Sequence, residues 1–364
     1  KADEIADGDL LLIDGAAGEV VAQPDEQTLA DFAERQKADA AHRAMLAQYK
    51  DKEGATSDGR RVIIEGNIGT PDDAVRVAEL GGEGVGLFRS EFLFMDRTDL
   101  PSEEEQFAAY KKACEIMQGK PVIIRTLDIG GDKEVPALAL EKEQNPFLGY
   151  RAIRICLNQP ELFLIQLRAL LRAAQYGDLR IMFPMISSVD EVRDAKQVLE
   201  QAKDMLTAEG VPFNPNVKVG IMVEIPVAAV CADVLAKEVD FFSIGTNDLI
   251  QYSCAVDRIN EKISYLYRPL HPGVLRLIAM TAKAANENGI EVGVCGEMAG
   301  TAGMAPVLCG LGVTNLSMSA SAMLAAKADL AKHSCGECKE LVDKLLACAS
   351  ASDAERIFTD WRES

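Results

Sequence analysis

Short apolar runs recur along the chain, and each ends at a glycine or polar residue before a segment with helical periodicity. The segments at 71–80 and 187–206, for example, repeat apolar residues three or four positions apart, as amphipathic helices do. The runs themselves are continuously apolar, which is typical of parallel strands buried on both faces. They predict strands near residues 61–67, 83–89, 121–128, 179–184, 218–224, 240–248, 290–297 and 314–320. Eight strand–helix units in about 300 residues predict an α/β protein with a (β/α)8 barrel, with seven or nine strands as alternatives.

The first 54 residues depart from this pattern. Residues 1–23 contain two short β-type runs around a Gly-Ala-Ala-Gly turn, which predicts a small hairpin. Because an isolated hairpin is only marginally stable, we expect it to be the tail end of a domain whose remainder is absent from this sequence. Residues 24–54 are rich in alanine, glutamine and charged residues and predict a linker helix. The barrel domain is therefore expected to span residues 55–364.

The composition narrows the class of ligand. Apolar residues make up 48% of the chain, so it can bury a large core, and its net charge is −19. Nucleic acids and anionic membranes attract proteins through clustered positive charge, so we expect neither as a partner. The chain contains no run of 18 apolar residues, so the sequence does not predict a membrane-spanning helix. A small anionic ligand is compatible with the net charge, since it needs only a local group of arginines.

The nine cysteines are scattered through apolar segments, and their odd number is typical of reduced thiols in a cytoplasmic protein. The opening residues form no apolar segment of the kind that directs secretion. Cys335 and Cys338 have CxxC spacing, but a single such pair is a weak signal for a metal or redox site. A coincidence of spacing within a helix is the favoured interpretation.

In a (β/α)8 barrel the carboxyl ends of the strands form one mouth, where the active site lies. Several predicted strands end in residues that carry chemistry: Arg89, Arg125, Asp128, Glu224, Asn247, Asp248, Cys295 and Glu297. Glu224 and Asp248 follow neighbouring strands, and such a pair of carboxylates suits Mg²⁺, which takes further ligands from substrate and water. A general acid–base pair, or a salt bridge with nearby arginines, is the alternative interpretation.

Arginines also cluster at this mouth. Arg89 and Arg125 lie inside apolar strand patterns, where an unpaired cation is costly, and this favours a ligand-binding role. Arg151 and Arg258 are further candidates for the same cluster. Guanidinium groups bind phosphate and carboxylate through paired hydrogen bonds, so the cluster predicts a small polyanionic substrate.

Cys295 follows a predicted strand, and a thiol there could act as a proton donor or nucleophile. By itself this signal is weak, because most cysteines in apolar runs are inert core residues. The three histidines, His42, His271 and His333, have no spacing typical of metal ligands.

Eight motifs occur in an order that resembles a known family: GVGLFRSEFLFMDR, IIRTLDIGGDK, NPFLGYRAIR, RIMFPMIS, GIMVEIPVAA, DFFSIGTNDLIQY, AVDR and GVCGEMAG. Together they resemble the phosphoenolpyruvate-binding C-terminal domain of Enzyme I, the phosphoenolpyruvate–protein phosphotransferase of the bacterial sugar phosphotransferase system. The resemblance is close over residues 55–320 and looser in the alanine- and cysteine-rich segment at 325–338. It implies a (β/α)8 barrel, in agreement with the strand pattern.

The resemblance implies a role for each residue that matches a family motif. These are Arg89, Arg125, Asn247 and Arg258 for binding the substrate, Glu224 and Asp248 for binding Mg²⁺, and Cys295 for protonating the enolate carbon. The family transfers the phosphoryl group to a histidine in a Thr-Ser-His context on an N-terminal domain, which also docks the carrier HPr. None of the three histidines has that context. We therefore expect a C-terminal portion, homodimeric as in the family, that binds phosphoenolpyruvate and Mg²⁺ but does not complete the transfer alone.

Three other interpretations stay open. The chain could be a fragment of pyruvate phosphate dikinase or phosphoenolpyruvate synthase, which share the barrel and several motifs. It could be a Mg²⁺-dependent lyase or aldolase that acts on pyruvate-type substrates. It could also be a non-catalytic module whose dimerisation reports phosphoenolpyruvate.

Overall fold

The computed structural model describes residues 5–15, 18–95, 97–131, 133 and 135–363. It divides into two compact units, Lys1–Tyr49 and Lys50–Ser364. The first unit contains the antiparallel strands β1 (Leu11–Asp14) and β2 (Glu19–Ala22) and helix α1 (Glu26–Ala47). These elements agree with the predicted hairpin and helix. The assignment of residues 1–23 to a neighbouring domain stays a prediction.

The second unit is built on a closed barrel of eight parallel strands, so the predicted (β/α)8 barrel is confirmed. The strands are β3 (Ile63–Ile68), β4 (Val85–Arg89), β5 (Val122–Arg125), β6 (Leu179–Phe183), β7 (Lys218–Val223), β8 (Phe241–Ile244), β9 (Glu291–Val294) and β10 (Asn315–Met318). Each strand pairs with the next one in sequence, and β10 closes the barrel by pairing with β3. All eight carboxyl ends consequently meet at one mouth.

Helices surround the barrel. They are α2 (Asp73–Glu79), α3 (Glu103–Met117), α4 (Ile153–Asn158), α5 (Pro160–Ala173), α6 (Val189–Glu209), α7 (Pro226–Val230), α8 (Ala232–Leu235), α9 (Thr246–Cys254), α10 (Pro272–Asn288), α11 (Met304–Gly310), α12 (Met323–Lys332), α13 (Cys335–Ala347) and α14 (Ala351–Glu363). Short 3-10 helices span Ser90–Leu93, Pro136–Leu138, Pro146–Leu148, Ser264–Leu266, Glu297–Gly300 and Ala320–Ala322. None of the helices in the described ranges is long and apolar enough to cross a membrane.

Three of these helices begin at a serine followed three residues later by a glutamate. Ser102, Ser188 and Ser334 precede α3, α6 and α13. Each serine hydroxyl accepts a hydrogen bond from the backbone N–H of its glutamate, whose carboxylate accepts one from the serine N–H. This reciprocal cap fixes where each helix begins, and it is visible in the sequence as a Ser-x-x-Glu pattern.

The interior of the barrel is layered along its axis. Six residues form an apolar cluster separate from the main core: Leu87, Ile123, Met182, Met222, Phe241 and Cys295. Near the amino ends of the strands the interior is polar, with Glu65 buried and Arg180 paired to Asp178 (2.8 Å) and Glu291 (2.9 Å). Burial raises the pKa of Glu65 to about 7, although Arg180 opposes this effect. The apolar cluster therefore separates a polar base from the mouth at the carboxyl ends.

Candidate active site

A cavity of about 410 Å³ opens at the carboxyl ends of the barrel strands. All seven residues given a role by the family resemblance line it: Arg89, Arg125, Glu224, Asn247, Asp248, Arg258 and Cys295. Asp128 and Glu297, at the ends of predicted strands, line it as well. The structure thus brings these nine predicted residues to one cavity, whereas Arg151, a further candidate, does not line it. The individual roles stay proposals.

Strand register places two of the arginines side by side. In the pairing of β4 with β5, Arg89 lies opposite Arg125. Arg125 is buried and contacts Glu91 (2.6 Å) and Asp128 (2.9 Å). Arg89 is the last residue of β4 and is exposed, with its guanidinium 4.7 Å from the centre of the Phe92 ring. Only Arg125 therefore has the buried setting that the apolar strand patterns suggested for both.

A chain of alternating charges runs beside the cavity. The Asp128 carboxylate contacts Arg125, Lys133 (2.8 Å) and Arg151 (3.0 Å), and Arg151 continues to Asp248 (3.2 Å). Burial alone would raise the pKa of Asp128, but the three cations hold it well below its usual range. Burial likewise opposes the charge of Arg151, yet Asp128 and then Asp248 raise its pKa above the ordinary value. Asp128 and Arg151 consequently favour their charged forms.

Arg151 is also fixed by aromatic residues. Its Nη1 atom donates to the hydroxyl of Tyr252 (3.0 Å), which in turn donates to the backbone carbonyl of Phe147. The Phe147 ring lies 5.9 Å from the guanidinium carbon. These contacts connect the long loop after β5 to α9, and they explain why Arg151 supports the site without lining the cavity.

Glu224 is buried at the end of β7, and the surrounding backbone is shaped to hold it. Its Oε1 atom accepts a hydrogen bond from the backbone N–H of Met185 (2.7 Å), whose φ is 56°. A positive φ is uncommon for methionine, so the turn after β6 bears strain in presenting this N–H. Gly245, which follows β8, leaves room for the carboxylate, because a β-carbon there would lie 2.8 Å from Oε2.

The buried Glu224 carboxyl group lies close enough to a second carboxylate, Asp248, to be influenced by its charge. Burial, and then the nearby Asp248, raise the pKa of Glu224 to about 8. Oδ2 of Asp248 accepts from Arg151, whereas its buried Oδ1 has no hydrogen-bond partner among the described residues. A buried polar atom without a partner is unfavourable, so this oxygen indicates a place for a ligand.

The residues fit a Mg²⁺ ion. The described residues that line the cavity include five acidic side chains (Glu91, Asp128, Glu224, Asp248 and Glu297) and four basic ones (Arg89, Arg125, Lys133 and Arg258). A divalent cation bound with a polyanion would offset the charge of the nearby carboxylates and of the ligand together. Within the described ranges no three His, Cys, Asp or Glu side chains gather as a metal site. Two carboxylates would leave most positions to substrate and water oxygens, as Mg²⁺ commonly requires.

Asn247 and Glu297 hold each other at the rim. Asn247 Nδ2 donates to Glu297 Oε1 (3.1 Å), and the backbone N–H of Glu297 donates to Asn247 Oδ1 (3.0 Å). Between them, the backbone at Gly296 packs closely against Thr246, because a β-carbon on Gly296 would lie 1.9 Å from Thr246 Oγ1. The glycine before Glu297 therefore lets the turn after β9 approach the start of α9.

Cys295 forms the boundary between the cavity and the apolar interior of the barrel. It lines the cavity, belongs to the apolar cluster and is only 4% exposed. Burial raises the pKa of its thiol to about 11, although Ser243 and Arg125 oppose this. The side chain of Asn67 fixes the backbone by donating to the Cys295 carbonyl (2.9 Å). The thiol keeps its proton at neutral pH, as a proton donor must.

Sequence reasoning missed five polar residues of the cavity: Asn67, Glu91, Lys133, Thr301 and Ser319. Glu91 accepts from both Arg125 and Lys133 (2.9 Å) and was detectable, since it lies two residues beyond the end of β4. Lys133 lies in the loop eight positions after Arg125, and its return to the mouth has no local sequence signal. Asn67 lies within β3, where a polar residue facing the mouth resembles any interruption of an apolar run.

Comparison with known proteins identifies the protein family. The family model for the phosphoenolpyruvate-binding domain of PEP-utilising enzymes matches residues 43–335. The chain therefore belongs to this family.

Similar curated proteins carry a more specific name. Proteins named phosphoenolpyruvate-protein phosphotransferase are 51% identical in Priestia megaterium, 47% in Staphylococcus carnosus and 50% in Bacillus subtilis. The alignments cover 96%, 100% and 96% of this chain but 61%, 63% and 61% of those proteins. The chain thus spans about three-fifths of the length of these relatives.

Replacing Arg151 by methionine should destabilise the barrel. The substitution leaves Asp128 and Asp248 without their shared cation, and breaking a buried ion pair from one side costs roughly 3 kcal/mol or more in the free energy of unfolding. Urea unfolding of the variant measures this loss. Arg193→Met is the matched control, because Arg193 is 59% exposed in its pair with Glu238 and should cost less than about 1 kcal/mol. Equal losses in the two variants would contradict a stabilising role for the buried network.

Proposed function

We propose that this chain binds phosphoenolpyruvate with Mg²⁺ and supports transfer of the phosphoryl group to a histidine outside this sequence, and then to HPr, with release of pyruvate. The observation that carries the proposal is a single cavity that combines paired arginines with a partnerless carboxylate oxygen. The names of the similar proteins support the same reaction. In this proposal the process serves sugar uptake in the cytoplasm, and nine free thiols are compatible with that reducing compartment.

The basic residues provide the substrate end of the cavity. Arg125 is held rigidly by Glu91 and Asp128, so its guanidinium is oriented before the substrate arrives. Arg89, exposed beside it, would reach the phosphate from the solvent side. Arg258 and Asn247 line the same cavity and would contact further oxygens of the substrate. Such fixed donors stabilise a transferring phosphoryl group chiefly through position and charge.

Glu224 and Asp248 are the residues that would hold Mg²⁺. When bound, the ion would offset the charge of these carboxylates and of the phosphoryl oxygens. Met185 and Gly245 keep Glu224 in place, and Arg151 keeps Asp248 in place, without occupying every carboxylate oxygen. Support for this assignment comes from the partnerless Oδ1 of Asp248.

Cys295 is proposed as the acid that completes the reaction. Loss of the phosphoryl group breaks the bond between phosphorus and the enol oxygen and leaves an enolate. The Sγ–H of Cys295 would donate its proton to the terminal carbon, giving the methyl group of pyruvate, and the thiolate would then recover a proton from water. The raised pKa of the thiol keeps that proton available.

None of the three histidines of this chain is proposed as the acceptor. His42 lies on α1, His271 precedes α10 and His333 precedes α13, and none of them lines the cavity formed by the described residues. The chain alone is therefore proposed to bind its substrate without completing the transfer.

A homodimer is part of the proposal. Val227 and Val230 on α7 and Val234 on α8 are exposed, and Met280 is exposed on α10, which packs against both helices. Clustered exposed apolar side chains are typical of a protein interface. A second copy of this chain would cover them.

Calorimetric titration of phosphoenolpyruvate tests the proposed binding. Mg²⁺ should strengthen binding by at least about tenfold, and Glu224→Gln should remove most of that gain, because a metal ligand is lost while the side-chain shape is kept. Glu200→Gln, an exposed position on α6, is the control and should behave like the unmodified chain. Binding that ignores both Mg²⁺ and Glu224→Gln would contradict the metal site, and no binding would contradict the function proposed for the chain alone.

Hydrogen exchange of pyruvate tests Cys295. In D2O with Mg²⁺ the chain should exchange the methyl protons of pyruvate, which NMR detects, and Cys295→Ala should slow this by about 100-fold or more. Cys348→Ala, at the end of α13, should leave the rate unchanged. Undiminished exchange in Cys295→Ala would assign the proton transfer to another group.

Sedimentation velocity tests the homodimer. The chain should sediment as a dimer, and Val230→Asp should shift it to a monomer, since a charge at the centre of an apolar interface is costly. Val75→Asp is the matched control: Val75 is 44% exposed on α2, comparable with the 55% of Val230. A monomeric unmodified chain, or equal behaviour of the two variants, would contradict the proposed face.

A further inference from the structure

Three of the nine cysteines gather around an arginine away from the candidate active site. Arg60 lies just before β3, on the amino-terminal side of the barrel strands, whereas the cavity lies at their carboxyl ends. Cys309 is on α11, and Cys335 and Cys338 are on α13. None of these four residues contributes to the proposed function. From the sequence alone, the CxxC spacing of Cys335 and Cys338 is interpreted as a coincidence. The structure shows which groups surround the two thiols.

Cys335 occupies the first position of α13 beside a cation. The guanidinium of Arg60 donates to the Cys335 sulfur (3.1 Å), and Arg60 is itself partly buried. The helix starts there because Ser334 and Glu337 cap it. The Cys335 side chain is partly exposed, so a small solute can reach it. Cysteines that react with oxidants typically combine a nearby cation, a helix N-terminus and access to solvent.

The neighbouring carboxylate does not displace this contact. Asp58 accepts hydrogen bonds from the Thr56 hydroxyl (2.5 Å) and from the backbone N–H of Cys335 (3.0 Å). These bonds hold Asp58 against the backbone at the start of α13. The guanidinium of Arg60 donates its hydrogen bond to the Cys335 sulfur, while Asp58 interacts with Arg60 only through its charge.

A second thiol lies one helical turn further on. Cys338 is completely buried, and positions three apart on a helix share a face. Close packing fixes this turn, because a β-carbon on Gly310 would lie 2.3 Å from the Cys338 carbonyl oxygen. Contact with the Cys338 thiol lowers the pKa of Cys309, and Arg60 contributes to the same effect. The three sulfur atoms and the guanidinium therefore form one cluster.

We propose that Cys335 is a peroxide-sensitive thiol and that Cys338 is its resolving cysteine. The Cys335 thiolate attacks one oxygen of a hydroperoxide, the O–O bond breaks, and a sulfenic acid forms as hydroxide or alkoxide leaves. The Cys338 sulfur then attacks the Cys335 sulfur, an S–S bond forms, and the sulfenic hydroxyl leaves as water with the Cys338 proton. Two thiols are oxidised and one peroxide is reduced. The inference is independent of the proposed phosphotransferase function.

The experiment treats the reduced full chain with hydrogen peroxide and a dimedone-type probe that traps sulfenic acids, and follows each cysteine by peptide mass spectrometry. Cys231, which is partly exposed like Cys335, is the internal reference. Cys335 should be labelled at least about tenfold faster than Cys231. Arg60→Gln should slow labelling of Cys335 by a similar factor, and Arg60→Lys should restore most of the rate, since it restores the charge.

Without the probe, the unmodified chain should form a Cys335–Cys338 disulfide, whereas Cys338→Ser should accumulate the sulfenic acid at Cys335. Equal labelling of Cys335 and Cys231 would overturn the proposal. This comparison is made in the unmodified chain, so it does not depend on the folding of any variant. An unchanged rate in a folded Arg60→Gln chain would remove the role of Arg60. A disulfide between Cys309 and Cys338 would overturn the assignment of the resolving pair.

Discussion

Charged groups that are closed off from water must neutralise one another, and this requirement organises the mouth of the barrel. Glu91, Arg125, Asp128, Arg151 and Asp248 alternate in sign and come from the short helix after β4, from β5, from the loop beyond it and from α9. Because a buried charge is tolerated only with a partner, each member fixes the position of the next. The long loop after β5, which has little regular structure, is anchored to the barrel through Arg151. Substrate would then meet donors that need little reorganisation.

The same cavity has two chemically different walls. One is charged and contains the paired arginines and the two carboxylates proposed to bind Mg²⁺. The other is the upper surface of the apolar cluster, to which Leu87, Met222 and Cys295 contribute. A molecule with a phosphate at one end and a methylene carbon at the other matches this division. If phosphoenolpyruvate binds here as proposed, the polarity of the walls would favour the orientation that points its methylene carbon toward Cys295.

Much of this arrangement could be predicted from the sequence, because a parallel barrel converts strand order into spatial proximity. The ends of β4, β5, β7 and β9 identify Arg89, Arg125, Glu224 and Cys295 before any coordinate is known. What could not be predicted is which groups pair. The distance from Lys133 to Asp128, the strained φ of Met185 and the orphaned Oδ1 of Asp248 depend on how loops fold back. The CxxC pair shows the same limit, since its meaning depends on Arg60, which is distant in sequence.

The position of Cys295 has a consequence for stereochemistry. Its sulfur belongs to a packed layer of side chains and its backbone is fastened on both sides, by Asn67 at the carbonyl and by Ile244 at the amide. A donor fixed in this way reaches a planar enolate from one side only. If Cys295 supplies an ordinary proton, a single geometric isomer of a substrate whose methylene carbon bears one deuterium and one tritium would yield pyruvate with a methyl group of one configuration. The fixed position of the thiol would thus make the proton transfer stereospecific, although ordinary pyruvate is achiral.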